Sequence, residues 1–564
     1  MSSPILPRLY VLGFVVTAMW MQTAQAQDRS QMRSMVISRH GIVAAESPLA
    51  AQAGVGILER GGNAVDAAIA TNAMMGVVEP MMNGIGGDLF AIVYDAKANK
   101  LYGLNASGWA PKGLTIEYLA KSGIRSMPQQ GVNAITVPGM VDGWQKLADK
   151  FGRKKLAEDL AAAIRTAQDG FPVPEWTAAY WATQVDHLRT DETATSVYLI
   201  QDRPPKVGEV FHNPDLAWSL KQIAQHGRDA FYKGEIASKI LDSMKRHGGP
   251  MTAQDLSEFS GEWVEPISTT YRDWTVFELP PNEQGIAALE MLNIMETFPL
   301  GQKDWGFGST KALHAMIEAK KLAYADLAKY IGDPRKQKLP VARLLSKEWA
   351  AERAKLIDPD HANCDPTAGE MPQGSDTTYL SVVDREGNMV SLIQSNYSLF
   401  GSGIAAPGTG FVLHNRGGLF SLDPSSPNAL AGRKRPMHTI IPAFAQKGDV
   451  RMAFGIMGGW NQSQAHAQFM ANIADFKMNI QAALEAPRFT KLTFGGCDVM
   501  MENRFAQNVR NELTAKGHKI DLKGTFTSDV GGGQVVLRDF TAGVNYGASD
   551  PRKDGQAVAE LPVN

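Results

Sequence analysis

The hydrophobic pattern of the chain is a series of helical and extended segments separated by short polar breaks. Apolar residues at helical spacing predict helices over 48–60, 64–78, 311–331 and 463–485. Apolar runs between turn residues predict strands at 89–94, 377–383, 388–395, 438–445, 451–456 and 533–538. The runs at 377–383 and 388–395 are apolar on both faces, which indicates a sheet that is covered on both sides.

One segment breaks this pattern directly before a buried strand. Residues 362–376 contain Pro, Gly and acidic residues without periodicity, which predicts an exposed linker.

The predicted helix over 311–331 has a polar side with Lys320, Lys321 and Lys329, which we expect to be solvated.

The N-terminus is typical of a secretion signal. Arg8 precedes an apolar run over 9–20, and the small residues Ala24 and Ala26 form a cleavage signal. A membrane anchor or a buried helix is the alternative, but the run is short for a span of about 20 residues. Residues 1–26 are thus predicted to be removed, giving a periplasmic or secreted protein without a stable membrane anchor.

Composition narrows the function classes. The chain has 564 residues with 56 Lys+Arg and 58 Asp+Glu, a balance that argues against a nucleic-acid partner. Apolar residues make up 44% and charged residues 20%, as in ordinary globular proteins. The two cysteines, Cys364 and Cys497, cannot form a Cys-rich zinc site, and we expect free thiols. No His/Glu cluster has metal-site spacing, so we predict no metal and no cofactor.

The linker leads straight into Thr377 and Thr378, which suggests nucleophilic chemistry. If the Asp376–Thr377 bond were cut, Thr377 would carry a hydroxyl and a free amine with an ordinary pKa of about 7.7–8.0. That amine could act as base for the hydroxyl. The alternative is that two β-branched residues merely begin a strand.

Many ordered motifs carry a resemblance to a known family. They lie at 41–71, 84–88, 314–334, 376–404, 433–443, 458–459, 485–489 and 547–552. Together they resemble the γ-glutamyltranspeptidase (glutathione hydrolase) family of N-terminal-nucleophile hydrolases, which cleave their own precursors. The resemblance implies an α/β fold, an αββα sandwich made from two autocleaved subunits. These would be a large subunit of 27–376 and a small subunit of 377–564, associated as a heterodimer.

The resemblance also implies roles for individual residues. Thr377 matches the nucleophile, the Asp376–Thr377 bond matches the cleavage site, and Thr378 matches the second threonine. Ser395 matches a hydroxyl that bonds the nucleophile region, and Gly458 and Gly459 match the oxyanion-hole glycines. Without the family context, the two glycines would be interpreted as an ordinary tight turn.

The match is weaker at the positions that bind the γ-glutamyl group. Ser107 stands in place of the Arg that binds the α-carboxylate, and Leu419 in place of the Asp that binds the α-amine. The remaining departures are His438 and Thr439 for a Ser-Ser pair, Tyr397 beside Asn396 for an Asn, and Arg416 for a Gln. Arg416 and His438 could bind a carboxylate elsewhere, or could be a solvated Arg and a structural His.

These features leave three functions open. The first is hydrolysis of, or acyl transfer from, γ-glutamyl amides such as glutathione, with water or an amine as acceptor. The second is an acylase acting on other small-molecule amides, because the charges that hold a zwitterionic head are missing. The third, from another class, is an uncleaved and inactive periplasmic binding protein.

Overall fold

We describe the protein from a computed structural model, of which residues 31–365 and 376–562 are described. The predicted signal segment 1–26 lies outside the described residues. The same holds for 366–375 of the predicted linker, whose first residues, 362–365, are described.

The strands and helices alternate along the chain. The strands, in chain order, are β1 Val36–Ser38, β2 Ile42–Ala45, β3 Asp88–Asp95, β4 Lys100–Ala106, β5 Phe171–Pro172, β6 Val210–Phe211, β7 Glu262–Val264, β8 Ile267–Tyr271, β9 Trp274–Glu278, β10 Asp376–Val383, β11 Met389–Tyr397, β12 Ala443–Lys447, β13 Val450–Ile456, β14 Phe489–Thr490, β15 Asp498–Glu502, β16 Lys519–Lys523, β17 Gly533–Asp539, β18 Val544–Ser549 and β19 Gln556–Ala559. The helices are α1 Pro48–Glu59, α2 Ala64–Val78, α3 Ile116–Lys121, α4 Met140–Phe151, α5 Leu156–Asp169, α6 Glu175–Ala182, α7 Val185–Leu188, α8 Glu192–Tyr198, α9 Pro214–His226, α10 Arg228–Tyr232, α11 Glu235–Arg246, α12 Ala253–Ser257, α13 Gly285–Glu296, α14 Thr310–Tyr330, α15 Val341–Leu344, α16 Lys347–Ala354, α17 Gln462–Ala474, α18 Ile480–Glu485 and α19 Gln507–Ala515. Across the described ranges, none of these helices has the length and apolar character that crossing a bilayer requires.

Two seven-stranded sheets form the centre of the molecule. The first sheet has the order β19-β2-β10-β11-β3-β4-β7, and the second has the order β1-β18-β17-β13-β12-β9-β8. Between them lies a buried apolar layer to which the first sheet contributes Phe90, Tyr379 and Ile393 and the second contributes Phe444 and Val536. The two sheets are therefore stacked face to face.

Helices cover the outer face of each sheet. On the first sheet, Leu380 and Leu392 pack in one core cluster with residues of α1 and α2. On the second sheet, Phe454 and Ile456 pack with residues of α13, α14 and α17. The predicted αββα sandwich is confirmed, and so is the prediction that strands 377–383 and 388–395 are buried on both faces.

Strand β10 lies in the middle of the first sheet. It pairs antiparallel with β2 on one side, with Leu380 opposite Ala45, and with β11 on the other, with Thr378 opposite Gln394. Strand β11 continues to β3, where Ser395 is opposite Asp88. This register brings segments that are far apart in sequence to the start of β10.

The helices predicted over 48–60 and 64–78 are confirmed as α1 and α2. The side chain of Asn63 caps α2 by accepting the N–H groups of Val65 and Asp66 at 2.9 and 3.1 Å, as such a residue does at a helix start. The single helix predicted over 463–485 is wrong. It is divided into α17 and α18, because Lys477 has a φ of +56° and Asn479 caps the second helix.

The expected solvated face of α14 is also wrong in part. Lys320 and Lys321 are buried, while Lys329 is exposed. Lys320 donates to the carbonyl of Thr493 at 2.7 Å, and Lys321 donates to Glu318 at 2.6 Å. Burial lowers the pKa of both ammonium groups. Helical periodicity did not indicate these partners.

The expectation of free thiols is wrong as well. Cys364 and Cys497 form a disulfide between segments 133 residues apart. A backbone bond holds the two segments side by side, because Gly496 N–H donates to the Cys364 carbonyl at 3.0 Å. Two isolated cysteines carry no sequence signal of such a long-range approach.

Candidate active site

Thr377 lies near the beginning of β10 and is 1% exposed. It lies at an irregular step in the pairing of β10 with β11, and Tyr379, two residues further on, lies in the inter-sheet layer. The side chain of Gln462 approaches it, with Nε2 lying 3.5 Å from Thr377 Oγ1. The Thr377 hydroxyl is thus buried and lies beside the first residue of α17, a helix that packs on the second sheet.

Thr378 lies on the opposite side of the strand and contacts the turn after α2. Asn83 Nδ2 donates to Thr378 Oγ1 at 2.6 Å, and the Thr378 hydroxyl donates to the Gln394 carbonyl at 3.4 Å. This hydroxyl therefore ties the start of β10 to the glycine-rich turn at 83–87.

Ser395 lies on β11, where the pairing with β10 becomes irregular between Asp376 and Thr378. Its Oγ accepts the N–H of Tyr397 at 2.7 Å, and Tyr397 has a positive φ of 77°. The side chain of Ser395 thus stabilises the bend that ends β11.

Gly458 and Gly459 form the turn that leads into α17. Their φ angles of +123° and +58° lie in the left-handed region that favours glycine. Gln284 Nε2 donates to the Gly459 carbonyl at 2.7 Å, and Tyr324 Oη donates to the Trp460 carbonyl. This supported turn can present backbone N–H groups to a developing oxyanion.

Arg416 is fully buried, so the interpretation as a solvated residue is wrong. Its Nε lies 2.9 Å from Asp88 Oδ2. His414 Nδ1 lies 3.3 Å from the same oxygen, and His438 Nε2 lies 2.8 Å from it, although the His438 ring is not turned to give a good hydrogen bond. Asp88 and Arg416 thus form a buried ion pair flanked by two histidines.

The pKa shifts agree with this arrangement. Burial would raise the pKa of the Asp88 carboxyl, but Arg416 and His438 outweigh burial and hold that pKa well below its usual value. Burial, and then repulsion from Arg416, lowers the pKa of His438 to about 3, so this ring is neutral at pH 7. One negative and one positive charge therefore compensate each other inside the site.

Arg416 makes further contacts besides the pair with Asp88. Its Nη1 donates to Thr439 Oγ1 at 2.7 Å, and its guanidinium lies 4.7 Å from the centre of the Tyr397 ring. Since the charge is paired with Asp88, Arg416 is poorly suited to bind a free carboxylate as well.

The two positions that hold charged groups in the typical family pattern contain no charge here. Ser107 is buried and donates its hydroxyl to Asn105 Oδ1 at 2.6 Å. Leu419 is buried in the apolar cluster of the second sheet. Asn396 Nδ2 donates to the Pro80 carbonyl at 3.3 Å, whereas its Oδ1 and the Tyr397 hydroxyl have no partner among the described residues.

Sequence reasoning missed several residues of this site. Asp88 and Asn83 lie within or beside the motif at 84–88, which contributed to the family resemblance but indicated no role for either residue. Gln284 and Gln462 are separated from Thr377 by 93 and 85 residues, and only the polar segment after Gly459 could have indicated Gln462.

A cluster elsewhere brings potential metal ligands together. His314, Glu318 and His518 are buried, with ligand atoms within 4.8 Å of one another. Lys321 Nζ already lies 2.6 Å from Glu318 Oε1, and a second cation there would be repelled by it. We assign no ion to this cluster, and the absence of metal and cofactor remains a prediction.

Comparisons with known proteins agree with one another. The family model described as gamma-glutamyltranspeptidase matches residues 50–560. The chain is 37% identical to a glutathione hydrolase-like proenzyme (YwrD) of Bacillus subtilis, over 93% of this chain and 100% of that protein. It is 34% identical to an oxamate amidohydrolase proenzyme of Klebsiella pneumoniae, over 93% and 100%. A crystal structure of a cephalosporin acylase from Bacillus halodurans has a TM-score of 0.88 and 43% identity, over 96% of this chain and 99% of that one.

Proposed function

The chain belongs to the gamma-glutamyltranspeptidase family, and from that premise we propose that it is a proenzyme that cuts itself between Asp376 and Thr377. The chain is an amidohydrolase of the N-terminal-nucleophile fold. Cleavage would give a large subunit of 27–376 and a small subunit of 377–564. Strand pairing supports a lasting heterodimer, because β10 pairs with β2 and β11 pairs with β3.

The proposed self-cleavage is an N-to-O acyl shift. Thr377 Oγ adds to the carbonyl carbon of Asp376, the C–N bond breaks, and the amide nitrogen takes up the proton from the hydroxyl. Water then hydrolyses the resulting ester, releasing the Asp376 carboxylate and restoring the Thr377 hydroxyl beside a free amine.

In turnover, that amine acts as base and Thr377 Oγ attacks the substrate carbonyl. N–H groups of the Gly458–Gly459 turn hold the oxyanion, and the proton passes to the leaving amine. Water then hydrolyses the acyl-enzyme, or an amine takes the acyl group. The supported turn and the buried position of Thr377 favour these roles.

We further propose that the preferred acyl group lacks a zwitterionic amino-acid head. The single observation that carries this is the Asp88–Arg416 ion pair, which leaves no uncompensated charge for such a head, while Ser107 and Leu419 offer none. An unpaired charge buried in the site would cost several kcal/mol. The names of the amidohydrolase and acylase relatives agree with this proposal.

Hydrolysis of γ-glutamyl amides remains the second candidate. It is favoured by the glutathione hydrolase-like relative and by the glutathione hydrolase proenzyme of Escherichia coli, which is 33% identical over 92% of this chain. Both functions use the same Thr377 chemistry, so only substrate preference separates them.

Three matched anilides test the preference. γ-Glutamyl, glutaryl and butyryl p-nitroanilide differ by successive loss of the α-amine and the carboxylate. We expect kcat/KM for the glutaryl or butyryl compound to exceed that for the γ-glutamyl compound by at least about 10-fold, equivalent to about 1.4 kcal/mol. A clear γ-glutamyl preference would contradict the proposal and favour the second candidate.

The third possibility, an uncleaved and inactive binding protein, is tested with the same purified protein. Wild type should give two fragments on a reducing denaturing gel, and Thr377→Ala should remain one chain without amidase activity. A single wild-type chain with no turnover would favour the binding protein.

A further inference from the structure

Gln462 is the first residue of α17 and is fully buried. It directly follows the Gly459–Asn461 turn, so its position is set by the same backbone that forms the candidate oxyanion site. Its Oε1 accepts the N–H of Ile441 at 3.0 Å. Its Nε2 lies 3.5 Å from Thr377 Oγ1.

The bond from Ile441 determines which end of the amide faces Thr377. An amide oxygen only accepts and an amide nitrogen only donates, so a backbone N–H on one side identifies the oxygen. The nitrogen must then face Thr377 Oγ1. The side chain of Gln462 therefore presents an oriented donor to the oxygen that would react.

We propose that Gln462 is a catalytic residue that donates a hydrogen bond to Thr377 Oγ1 during self-cleavage and amide hydrolysis. The inference rests on the proposed function of Thr377 as nucleophile. The N–H from Gln462 stabilises negative charge on this oxygen as the hydroxyl proton leaves, and again when the oxygen departs from the acyl-enzyme.

The donor also has an orienting effect. With one lone pair of Oγ1 accepting from Gln462, the hydroxyl proton must point away from the amide. The separation of 3.5 Å is long for a hydrogen bond between neutral groups. Bonds to a charged oxygen are shorter and stronger, so this contact tightens as charge develops.

Two substitutions separate donation from packing. Gln462→Met fills the same space without either bond. Gln462→Glu keeps an oxygen for Ile441 N–H, and it donates to Thr377 only while the carboxyl carries a proton. The matched control is Gln468→Met, since Gln468 is buried on the same helix and bonds the backbone of Phe489 but does not contact Thr377.

The measurements are the rate of self-cleavage, and kcat and KM of the processed enzyme with its best anilide. We expect Gln462→Met to lower both the cleavage rate and kcat about 100-fold with little change in KM, as loss of one such donor does elsewhere. Gln468→Met should change kcat less than about 3-fold. Normal cleavage and kcat in Gln462→Met would overturn the inference.

Gln462→Glu gives a second test that does not depend on Gln462→Met folding well. Its kcat relative to wild type should fall at least about 10-fold as the pH rises and the carboxyl loses its donor proton. Nearby ionisable groups, which include the Thr377 amine, Glu283 and the Glu278–His466 pair, are present in both proteins, so a pH dependence of the ratio reports the introduced carboxyl and its effect on them. A ratio near one at a pH where the infrared difference spectrum between the variant and wild type shows the ionised carboxylate would overturn the inference.

Failure of the proposed function gives a different result. A wild-type chain that is neither cleaved nor active would overturn both proposals. An active wild type with an inactive Thr377→Ala variant, together with a fully active Gln462→Met variant, would overturn only the role of Gln462.

Discussion

At the scale of single residues, the Asp88–Arg416 pair decides much of the chemistry of the site. Both side chains are completely buried, so neither charge is compensated by water. Each charge has its counter-charge within the protein and not on a bound substrate. Arg416 also holds Thr439 and the Tyr397 ring around its guanidinium. Specificity and stability are therefore coupled at this position.

Removing one member of this pair should be costly. In Asp88→Asn, the Arg416 charge remains buried without its counter-charge, and we expect a loss of about 3–5 kcal/mol in the free energy of unfolding at pH 7. Urea denaturation measures the change. The double variant Asp88→Asn, Arg416→Met should regain a large part of the loss. A change below about 1 kcal/mol in the single variant would disagree with this account.

Asp159 on α5 gives a prediction of pH dependence. Burial, and then repulsion from Asp66, raises the pKa of its carboxyl from 3.8 to about 8. The folded state therefore binds a proton that the unfolded state releases, and stability from this group is present below about pH 4 and lost as the pH rises towards 8. The expected slope is about 1.4 kcal/mol per pH unit.

Asp159→Asn removes this titration. The free energy of unfolding of the variant relative to wild type should therefore increase between pH 5 and pH 8, as urea midpoints at several pH values would show. A difference that is constant over this range would mean that Asp159 does not hold its proton in the folded protein.

At the scale of elements, the turn between α2 and β3 is packed against β11 with little space. A Cβ added to Gly87 would lie 2.3 Å from Gln394 Nε2 and 2.4 Å from the Ser395 carbonyl oxygen. These contacts allow Asn83, in the same turn, to reach Thr378. The turn is therefore a support for the start of β10.

Gly87→Ala should push this turn away from β11. We expect a loss of about 1–3 kcal/mol in stability and slower self-cleavage, because overpacking displaces the backbone. Gly56→Ala in α1 is the control, since its added Cβ meets only the flexible end of Arg60 at 3.2 Å. Equal behaviour of the two variants would contradict the supporting role of the turn.

The elements also show what could be predicted from sequence. Local sequence signals were enough to predict four elements. Caps indicated the helices α1 and α2, and continuous apolar runs indicated the strands β10 and β11. The burial of Lys320 and Arg416 was not, since each is compensated by a group distant in sequence, Thr493 or Asp88. Of the site, Thr377 and the glycine turn were predicted from family motifs, whereas Gln462 required the fold.

At the scale of the whole molecule, the disulfide joins the two proposed subunits. Cys364 lies before the proposed cut and Cys497 lies after it, so a covalent bond would still join the two fragments after cleavage. Such a bond agrees with the predicted exported location, because disulfides persist in oxidising compartments.

Gel electrophoresis should reveal this link. Processed wild type should run as one band without reductant and as two bands with it. Cys364→Ser should give two bands under both conditions. Two wild-type bands without reductant would mean that the bond is absent in the mature enzyme.

The link also changes how the mature enzyme responds to dilution. A cut protein held only by packing unfolds into two separate chains, so its apparent stability falls when it is diluted. With Cys364 joined to Cys497, unfolding releases a single branched chain. The melting temperature should then be independent of protein concentration. Refolding should also be independent of concentration, because the disulfide keeps the two fragments together even in a very dilute exported protein.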